Sequence, residues 1–203
     1  SLATRSCILD AAEQVFADRG FDGASIRDIA KLAGVQVGLV HHHGGGKEEL
    51  FQRTVARRAE ELSQRRLEAL AARKAAGPLS LRDVVGCFLE PYIRMARDGG
   101  PQWLAYARLV AHVSADPRWR GLAAEWFDPT ARVFIDEIAQ LRPGVSRPAV
   151  AAGFVYSVAA MLAHVTSAWR VGALAGAAGE VPEEELIAFC AAGVEAALRA
   201  PDH

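Results

Sequence analysis

The segment between Ser25 and Leu50 constrains the fold of this chain more than any other stretch of its 203 residues. Ser25 is a favourable helix N-cap, and Asp28, three residues later, completes a weak capping box. Ala30 supplies a small residue where two helices cross, and Gly34, four residues on, suits the turn between them. The apolar residues that would lock the second helix onto the first are Ile26, Ile29, Val35 and Val40. This spacing predicts a helix-turn-helix.

Helical periodicity covers most of the remaining chain. Residues 4–19 carry one apolar stripe, and the charged segment 47–75 ends before Gly77-Pro78. The composition, rich in Ala, Leu, Arg and Glu, favours helix over sheet. We therefore predict an all-α fold of about nine helices. An N-terminal three-helix helix-turn-helix domain would occupy residues 1–50, and a larger helical bundle residues 51–203, with a helix at about 47–75 connecting the two.

Charge and cysteine content narrow the classes of protein further. The net charge is −1, and residues 1–53 hold six basic and seven acidic side chains, so the predicted helix-turn-helix is not basic overall. The three cysteines are far apart and form no CxxC pair, which fits a reducing cytoplasm. Adjacent side chains in the run His41–His43 point about 100° apart on a helix, so they share one metal ion poorly. We predict a cytoplasmic protein without a metal or cofactor.

One apolar stretch, residues 149–169, is long enough to cross a bilayer. It is nevertheless rich in Ala and Gly and contains Tyr156, Ser157 and His164. We therefore predict a helix of a bundle or a dimer interface and no membrane span. The N-terminal residues also lack the long apolar core of a signal peptide.

Several spaced blocks in the first quarter of the chain resemble the N-terminal signature of the TetR family of transcriptional regulators. The blocks are Ile8–Phe16 followed by Gly20-Phe21, then Ser25–Ala30, Ala33–Val35 and Lys47–Phe51. The resemblance covers residues 5 to about 53 and rests on all blocks occurring together. It implies a regulator, most often a repressor, that binds a palindromic operator in double-stranded DNA as a homodimer. It also implies that a small-molecule effector binds the second domain and releases the DNA.

The resemblance assigns roles to residues of the helix-turn-helix. Those expected to contact phosphates are Ser25, Arg27, His42 and Lys47, and those expected to face the bases of the major groove are Gln36, Val37, Leu39 and His41. Gly38 would allow a close approach of the backbone. Glutamine pairs with adenine, and apolar side chains contact thymine methyl groups. Phosphate contacts would supply affinity for DNA, and base contacts would determine which DNA sequence is bound.

The run His41-His42-His43-Gly44 departs from the family's pattern, which usually has an aromatic pair and a phenylalanine there. Gly44 stands where a packed phenylalanine normally ends the recognition helix. A lost buried ring costs on the order of 3 kcal/mol if nothing fills its place. One alternative is therefore a TetR-like protein whose DNA-binding domain is weakened. The charge balance of residues 1–53 also predicts modest DNA affinity with a shallow salt dependence.

The second domain carries the candidate effector site. All four tryptophans and all three tyrosines lie between residues 80 and 200. Such rings can line a pocket for an apolar or aromatic effector, although any one of them can equally be ordinary core. The residues predicted to bind the effector, on helices that surround the pocket in the resembled family, are Trp103, Tyr106, His112, Trp126 and Met161.

The last two long helices have small, apolar faces that are typical of a four-helix interface between two chains. The predicted interface residues are Ala149, Gly153, Tyr156, Ala160 and Ala163 on the first helix and Leu186, Ile187, Cys190, Val194, Ala197 and Leu198 on the second. Two DNA-binding domains on a symmetric dimer would meet successive major grooves about 34 Å apart.

Two other classes of protein stay open. A helical enzyme is one, but the sequence has no GxSxG, HExxH, P-loop or Rossmann fingerprint, and scattered Asp, Glu and His are equally typical of a solvated bundle. We predict that the protein is not an enzyme. A membrane or lipid-carrying helical protein is the other, and it rests on residues 149–169 alone.

Overall fold

Helices account for nearly all of the chain that the structure, a computed structural model, describes, namely residues 1–176 and 181–199. The α-helices are α1 Leu2–Gly23, α2 Ile26–Ala33, α3 Val37–Gly44, α4 Lys47–Ala75, α5 Leu81–Asp98, α6 Pro101–Ala115, α7 Arg120–Trp126, α8 Asp128–Leu141, α9 Arg147–Thr166, α10 Ala168–Ala175 and α11 Glu183–Leu198, with a 3-10 helix at Pro117–Trp119. The predicted all-α fold is confirmed, and these ranges contain no strand. Residues 177–180 and 200–203, part of the predicted second domain, lie outside the described residues.

The described ranges hold eleven α-helices where we predicted about nine, because two predicted helices are divided. The segment after Asp116 becomes the 3-10 helix, α7 and α8. Pro129 lies in the first turn of α8, where its missing amide hydrogen costs nothing, so a new helix begins there. The second division is at Ser167, whose non-helical backbone separates α9 from α10.

The chain folds into two compact units, which differ from the predicted division at residue 50. Unit 1 comprises residues 1–61 and 95–126, and unit 2 comprises residues 62–94 and 127–203. Helices α4 and α5 therefore each contribute to both units. The packing of α6 against α1 explains why a segment far along the chain joins the N-terminal helices.

An aromatic cluster fixes the end of α1 in unit 1. Gly20 bends α1 with a φ of 67°, a conformation that L side chains rarely adopt. Beyond the bend, Phe21 lies 5.3 Å from Phe51 of α4 between ring centroids, and Phe16 lies 5.0 Å from the same ring. Trp119 of the 3-10 helix stacks on Phe51 at 4.3 Å. Edge-to-face contacts of Phe16 and Phe21 with Phe51 thus hold the junction of α1 and α4, and Trp119 stacks on Phe51.

Unit 2 is built around the close packing of α9 and α11. Gly153 of α9 faces Val194 of α11, and a Cβ built on it would lie 3.5 Å from Val194, an ordinary van der Waals distance. Phe88 of α5 packs edge to face with Phe134 of α8 at 5.1 Å and with Phe154 of α9 at 4.7 Å. These three rings join α5, α8 and α9 in one apolar core.

Helix α9 is the one described helix whose length and apolar composition would allow it to cross a membrane. Only 28% of its most apolar window is buried inside the chain. Most of this apolar window therefore lies on the surface of the described chain.

Candidate nucleic-acid interface

The beginning of α2 is closed by the predicted capping box. Ser25 Oγ accepts a hydrogen bond from the Asp28 amide at 3.1 Å and donates to Asp28 Oδ2 at 2.6 Å. Arg19 forms an ion pair with the same carboxylate at 3.0 Å. The hydrogen bond from Ser25, helped by Arg19, holds the pKa of Asp28 below its ordinary value. The Ser25 hydroxyl is thus engaged within the chain, and the amides of the first turn of α2 are the groups that can donate to a phosphate.

The turn between α2 and α3 has the expected geometry. Gly34 adopts a left-handed conformation, with a φ of 64°, and its amide donates to the carbonyl groups of Ala30 and Lys31. The Val35 amide also donates to the Ala30 carbonyl, at 3.0 Å. Ile29, Ala30 and Val40 are 0%, 2% and 0% exposed. The inner side of α3 is therefore fixed on α2.

The outer side of α3 is exposed. Six of the residues predicted to face bases or phosphates lie on α3 or at its N-cap and are exposed: Gln36, Val37, Gly38, Leu39, His41 and His42. Val37 and Leu39 are 39% and 41% exposed, whereas Val40, on the opposite side of the helix, is 0% exposed. No heavy atom outside the local backbone lies within 4 Å of a Cβ built on Gly38, so the backbone is open there. The structure thus brings these six predicted residues together on one accessible surface.

Leu50 packs beside Gly44 at the end of α3, where the family usually has a phenylalanine at position 44. Gly44 is buried, and a Cβ added to it would lie 2.8 Å from Leu50 Cδ1. Leu50 itself is 0% exposed. The side chain of Leu50 therefore occupies the space beside Gly44, and the helix end is packed without the aromatic ring.

Restoring the phenylalanine at position 44 is expected to destabilise the protein. A Gly44→Phe substitution would overpack the site against Leu50 and lower the free energy of unfolding by about 1–3 kcal/mol. Combining it with Leu50→Ala, which empties that space, should recover part of the loss. Urea denaturation of the single and double variants measures both effects, and a Gly44→Phe protein that is more stable than the parent would show that the space is free.

The three histidines are held by local contacts. His41 Nδ1 lies 3.1 Å from the Gly45 carbonyl oxygen, and the rings of His42 and His43 meet edge to face at 4.9 Å. Arg53 donates to the His43 carbonyl at 2.7 Å. Burial, helped by nearby positive charge, lowers the pKa of His43 from its ordinary value. Among the described residues, no group of three or more His, Cys, Asp or Glu side chains is placed to hold a metal ion.

Lys47 lies at the beginning of α4, beside the bend of α1. Its Nζ donates to the Asp22 carbonyl at 3.4 Å and lies 4.5 Å from the centre of the Phe21 ring. Arg118 reaches the same bend, where it pairs with the Asp22 carboxylate at 2.9 Å. The hydrogen bonds from Arg118 hold the pKa of Asp22 below its ordinary value. Lys47 is therefore half-buried at the first residue of α4, and contacts with the end of α1 hold its side chain.

Ion pairs take up many of the charges of unit 1. The pairs include Arg19–Asp28, Arg53–Glu49, Arg57–Asp10, Arg58–Glu13, Arg108–Asp18 and Arg118 with both Asp22 and Asp116. Arg27 and Lys31 lie exposed on α2 near the outer side of the helix-turn-helix. The positive potential that unit 1 presents to a DNA phosphate backbone therefore depends on few side chains.

The residues predicted to bind an effector do not lie in one unit. Trp103, Tyr106, His112 and Trp126 belong to unit 1, whereas Met161 belongs to unit 2. Trp103 and Tyr106 are 7% and 1% exposed and pack edge to face at 5.7 Å. His112 Nε2 lies 3.2 Å from the Ala17 carbonyl oxygen of α1. In unit 1 these side chains hold α6 in place.

The predicted dimer residues divide into two sets. Those buried within unit 2 are Gly153, Ile187, Cys190, Val194 and Leu198, and those partly or fully exposed are Ala149, Tyr156, Ala160, Ala163, Leu186 and Ala197. Two large exposed side chains beside them were missed by the sequence analysis: Val155 at 59% and Phe189 at 71%. Their apolar character was visible in the sequence, but both sides of each helix are apolar.

The sequence analysis also missed a small apolar cavity in unit 2. It is lined by Val84, Val85, Phe88, Leu89, Phe134, Ile138, Phe154 and Ser157. Its free space of about 10 Å³ holds roughly one water molecule. The lining is aliphatic and phenylalanine-rich, so counting tryptophans and tyrosines could not reveal it.

Comparisons with known proteins fit this architecture. Residues 8–54 match the family described as bacterial regulatory proteins, tetR family, and residues 86–193 match the tetracyclin repressor-like C-terminal domain. The second match covers more than half of the chain. The chain therefore belongs to the TetR family, a family of transcriptional regulators.

Individual relatives are similar over part of their length. The HTH-type transcriptional regulator BetI of Rhizobium meliloti is 33% identical over 105 residues, which are 50% of this chain and 49% of BetI. The HTH-type transcriptional repressor AcnR of Corynebacterium efficiens is 37% identical over 65 residues, 30% of this chain and 35% of AcnR. The chain thus matches about half or less of these relatives. A TetR-like transcriptional regulator from Rhodococcus sp. RHA1 shares the fold, with a TM-score of 0.64, 21% identity and coverage of 99% of this chain and 98% of that one.

Proposed function

We propose that this protein is a DNA-binding transcriptional regulator that acts in the cytoplasm as a repressor. The observation that carries the proposal is the exposed outer side of α3, whose inner side is fixed by Ile29, Ala30 and Val40. A rigid helix with exposed apolar and hydrogen-bonding side chains fits the major groove. Repression is favoured by membership of the TetR family and by the name of AcnR.

The side chains on α3 support a division of roles. Gln36 is placed to pair with an adenine, and Val37 and Leu39 to contact thymine methyl groups. Gly38 leaves the backbone open for a close approach. The groups proposed to bind phosphates are the first-turn amides of α2 after Ser25, together with Arg27, His41, His42 and Lys47. In this scheme His41 can contact either a base edge or the backbone.

A salt titration of DNA binding tests this function. The protein is titrated against duplex DNA from upstream of its own gene, with fluorescence anisotropy as the readout. Because many charges of unit 1 are paired, we expect specific binding whose logarithmic salt slope is clearly shallower than about −10. A Lys47→Gln variant should make the slope shallower by about one, since one phosphate contact is lost. The absence of saturable binding to this DNA would contradict the proposal, and a slope near −10 would contradict the charge argument.

The proposed regulator is a homodimer that joins through the outer sides of α9 and α11. Val155, Tyr156 and Phe189 are 59%, 69% and 71% exposed. With the exposed small residues Ala159, Ala163, Ala192, Gly193 and Ala196 they form an apolar stripe at helical spacing. The predicted residues that are buried within unit 2 would support this surface from inside. A mass in solution of twice 21.7 kDa is the direct check.

The apolar cavity of unit 2 is the proposed effector site. Its lining comes from α5, α8 and α9, and Met161 of the predicted set lies further along α9. An effector that prefers one conformation shifts DNA affinity by the free energy of that preference. Helix α4 begins at Lys47 in unit 1 and continues into unit 2, so it is the proposed carrier of the change.

A further inference from the structure

A bidentate ion pair joins the 3-10 helix of unit 1 to the end of α1. Arg118 Nη1 donates to Asp22 Oδ1 at 2.9 Å, and Arg118 Nη2 donates to Asp22 Oδ2 at 2.9 Å. Asp116, the N-cap of the 3-10 helix, accepts from the same guanidinium through Nε at 3.1 Å and Nη2 at 2.6 Å. The planar fork of Arg118 is therefore oriented by its own helix, and one guanidinium occupies both oxygens of Asp22.

The aromatic cluster at the end of α1 fixes the position of this arginine. The guanidinium carbon of Arg118 lies 5.4 Å from the centre of the Phe21 ring and 5.5 Å from that of Trp119. These two rings meet edge to face at 4.9 Å, and Trp119 is buried. Arg118 thus follows a buried residue of the core, although its own side chain is reached by solvent.

Lys47, a proposed phosphate contact, lies beside the same aspartate. Its Nζ donates to the Asp22 carbonyl oxygen at 3.4 Å, which uses one of the three donors of an ammonium group. After the hydrogen bonds from Arg118, the charge of Lys47 is among the interactions that lower the pKa of the Asp22 carboxyl. The carboxylate is therefore within electrostatic range of Lys47, but its ion pair is with Arg118.

We propose that Arg118 is a positioning residue for DNA binding, which holds the Asp22 carboxylate so that the Lys47 ammonium is available to a DNA phosphate. This inference rests on the proposed DNA-binding function. Without Arg118, a rotation of the Asp22 side chain would let the carboxylate pair with Lys47 and compete with the phosphate. The uncompensated charge of Asp22 would also repel the DNA backbone, so both effects weaken binding.

Two other roles for Arg118 give different results. If Arg118 contacted a phosphate itself, its loss would weaken binding whether or not Asp22 and Lys47 were present. If it only stabilised the fold, its loss would lower the urea midpoint and leave the salt dependence of DNA binding unchanged. The proposed role instead requires that the effect of losing Arg118 depends on both neighbours.

A set of variants separates these roles. Binding to duplex DNA from upstream of the gene is measured by fluorescence anisotropy over a range of salt concentrations. We expect Arg118→Gln to weaken binding about 5-fold at low salt and to make the logarithmic salt slope shallower by up to about one. Adding Asp22→Asn should restore affinity to within about twofold of the parent, because a neutral amide does not pair with lysine. In a Lys47→Gln background, Arg118→Gln should change the affinity by less than about twofold.

Arg108→Gln is the matched control for the loss of charge. Arg108 of α6 pairs with Asp18 of α1 at 3.8 Å, and their side chains are 50% and 65% exposed. The variant removes the same charge and another ion pair from unit 1, and we expect its DNA affinity to stay within about twofold of the parent. Circular dichroism and the urea midpoint show which variants are folded. If Arg118→Gln does not fold, Arg118→Lys with and without Asp22→Asn decides, because lysine keeps the charge without the planar fork.

The outcomes separate this inference from the proposed function. A folded Arg118→Gln protein that binds DNA as tightly as the parent would overturn the inference, and so would a loss that Asp22→Asn does not restore. Either result would leave the DNA-binding function standing. Absence of saturable binding by the parent protein would overturn the DNA-binding function and the role of Arg118 together.

Discussion

An Arg58→Met substitution is expected to lower the free energy of unfolding by about 3–5 kcal/mol at pH 7, because it leaves a buried carboxylate without its partner. Glu13 is 0% exposed, and its Oε1 accepts a hydrogen bond from Arg58 Nε at 2.5 Å. The other oxygen, Oε2, is buried without a hydrogen bond among the described residues. Arg58 also lies over the Trp103 ring at 4.9 Å, so its loss affects the contact between α4 and α6.

The neighbouring arginine provides a control for this prediction. Arg57 pairs with Asp10, but their side chains are 28% and 36% exposed. A half-exposed pair contributes about 1 kcal/mol or less, so Arg57→Met should have a small effect. Urea denaturation at pH 7 compares the two variants. Equal losses for Arg57→Met and Arg58→Met would show that burial of Glu13 is not the cause.

The pH dependence identifies the carboxylate. Burial raises the pKa of Glu13 above its ordinary value of 4.5, against the opposing effect of Arg58. The folded state therefore favours protonated Glu13, and its contribution to stability is present below pH 4.5 and is lost as the pH rises through the raised pKa. Removing Arg58 raises that pKa further, so Arg58→Met should be least impaired in acid. Adding Glu13→Gln should abolish this dependence and restore stability, whereas a double variant as unstable as Arg58→Met would contradict the account.

The helix-turn-helix was predictable because its determinants are local. Ser25, Gly34 and the small Ala30 each satisfy a steric or hydrogen-bonding demand within about ten residues. The structure confirms the capping box and the left-handed turn at the expected positions. The exposure of Leu39 follows from the same helical period, since Val40 faces inward. Local geometry was therefore sufficient to predict both the fold of this segment and which of its side chains are exposed.

The exposed face of α9 and α11, which we propose as the dimer interface, was less predictable. Both helices are apolar on nearly every side, so periodicity does not mark the side that packs within the unit. Cys190 and Val194 were predicted at the interface, but they pack inside unit 2, while Phe189 lies outside. Only three-dimensional packing distinguishes one residue from its neighbour here.

The apolar cavity of unit 2, which we propose as the effector site, escaped the sequence analysis for a related reason. Counting aromatic residues drew attention to Trp103 and Tyr106, which are buried in unit 1 and do not line this cavity. Arg66, which is buried against Phe88 of the lining, stands among charged residues on α4, a pattern that is typical of a solvated helix face. Its burial depends on α5 and α9 covering that side of α4 through Phe88 and Met161. Contacts between residues this far apart in the chain cannot be predicted from a single sequence.

A charge placed on the outer side of α3 is expected to abolish specific DNA binding without unfolding the protein. Leu39 is 41% exposed, so Leu39→Asp should cost little stability. In the proposed complex this aspartate would face DNA, whose phosphates carry the same negative charge. It would also lose hydrogen bonds to water that the DNA does not replace. Together these effects should weaken binding about 100-fold or more. Val133→Asp on α8 is the matched control, because Val133 is 37% exposed and lies in unit 2.

The most direct test is therefore the affinity of the parent, Leu39→Asp and Val133→Asp proteins for DNA from upstream of the gene, measured by anisotropy at one salt concentration. Circular dichroism and the urea midpoint establish that all three are folded. We expect the parent and Val133→Asp to bind within about twofold of each other and Leu39→Asp to lose at least about 100-fold. A folded Leu39→Asp protein that binds as tightly as the parent would show that the outer side of α3 does not contact DNA.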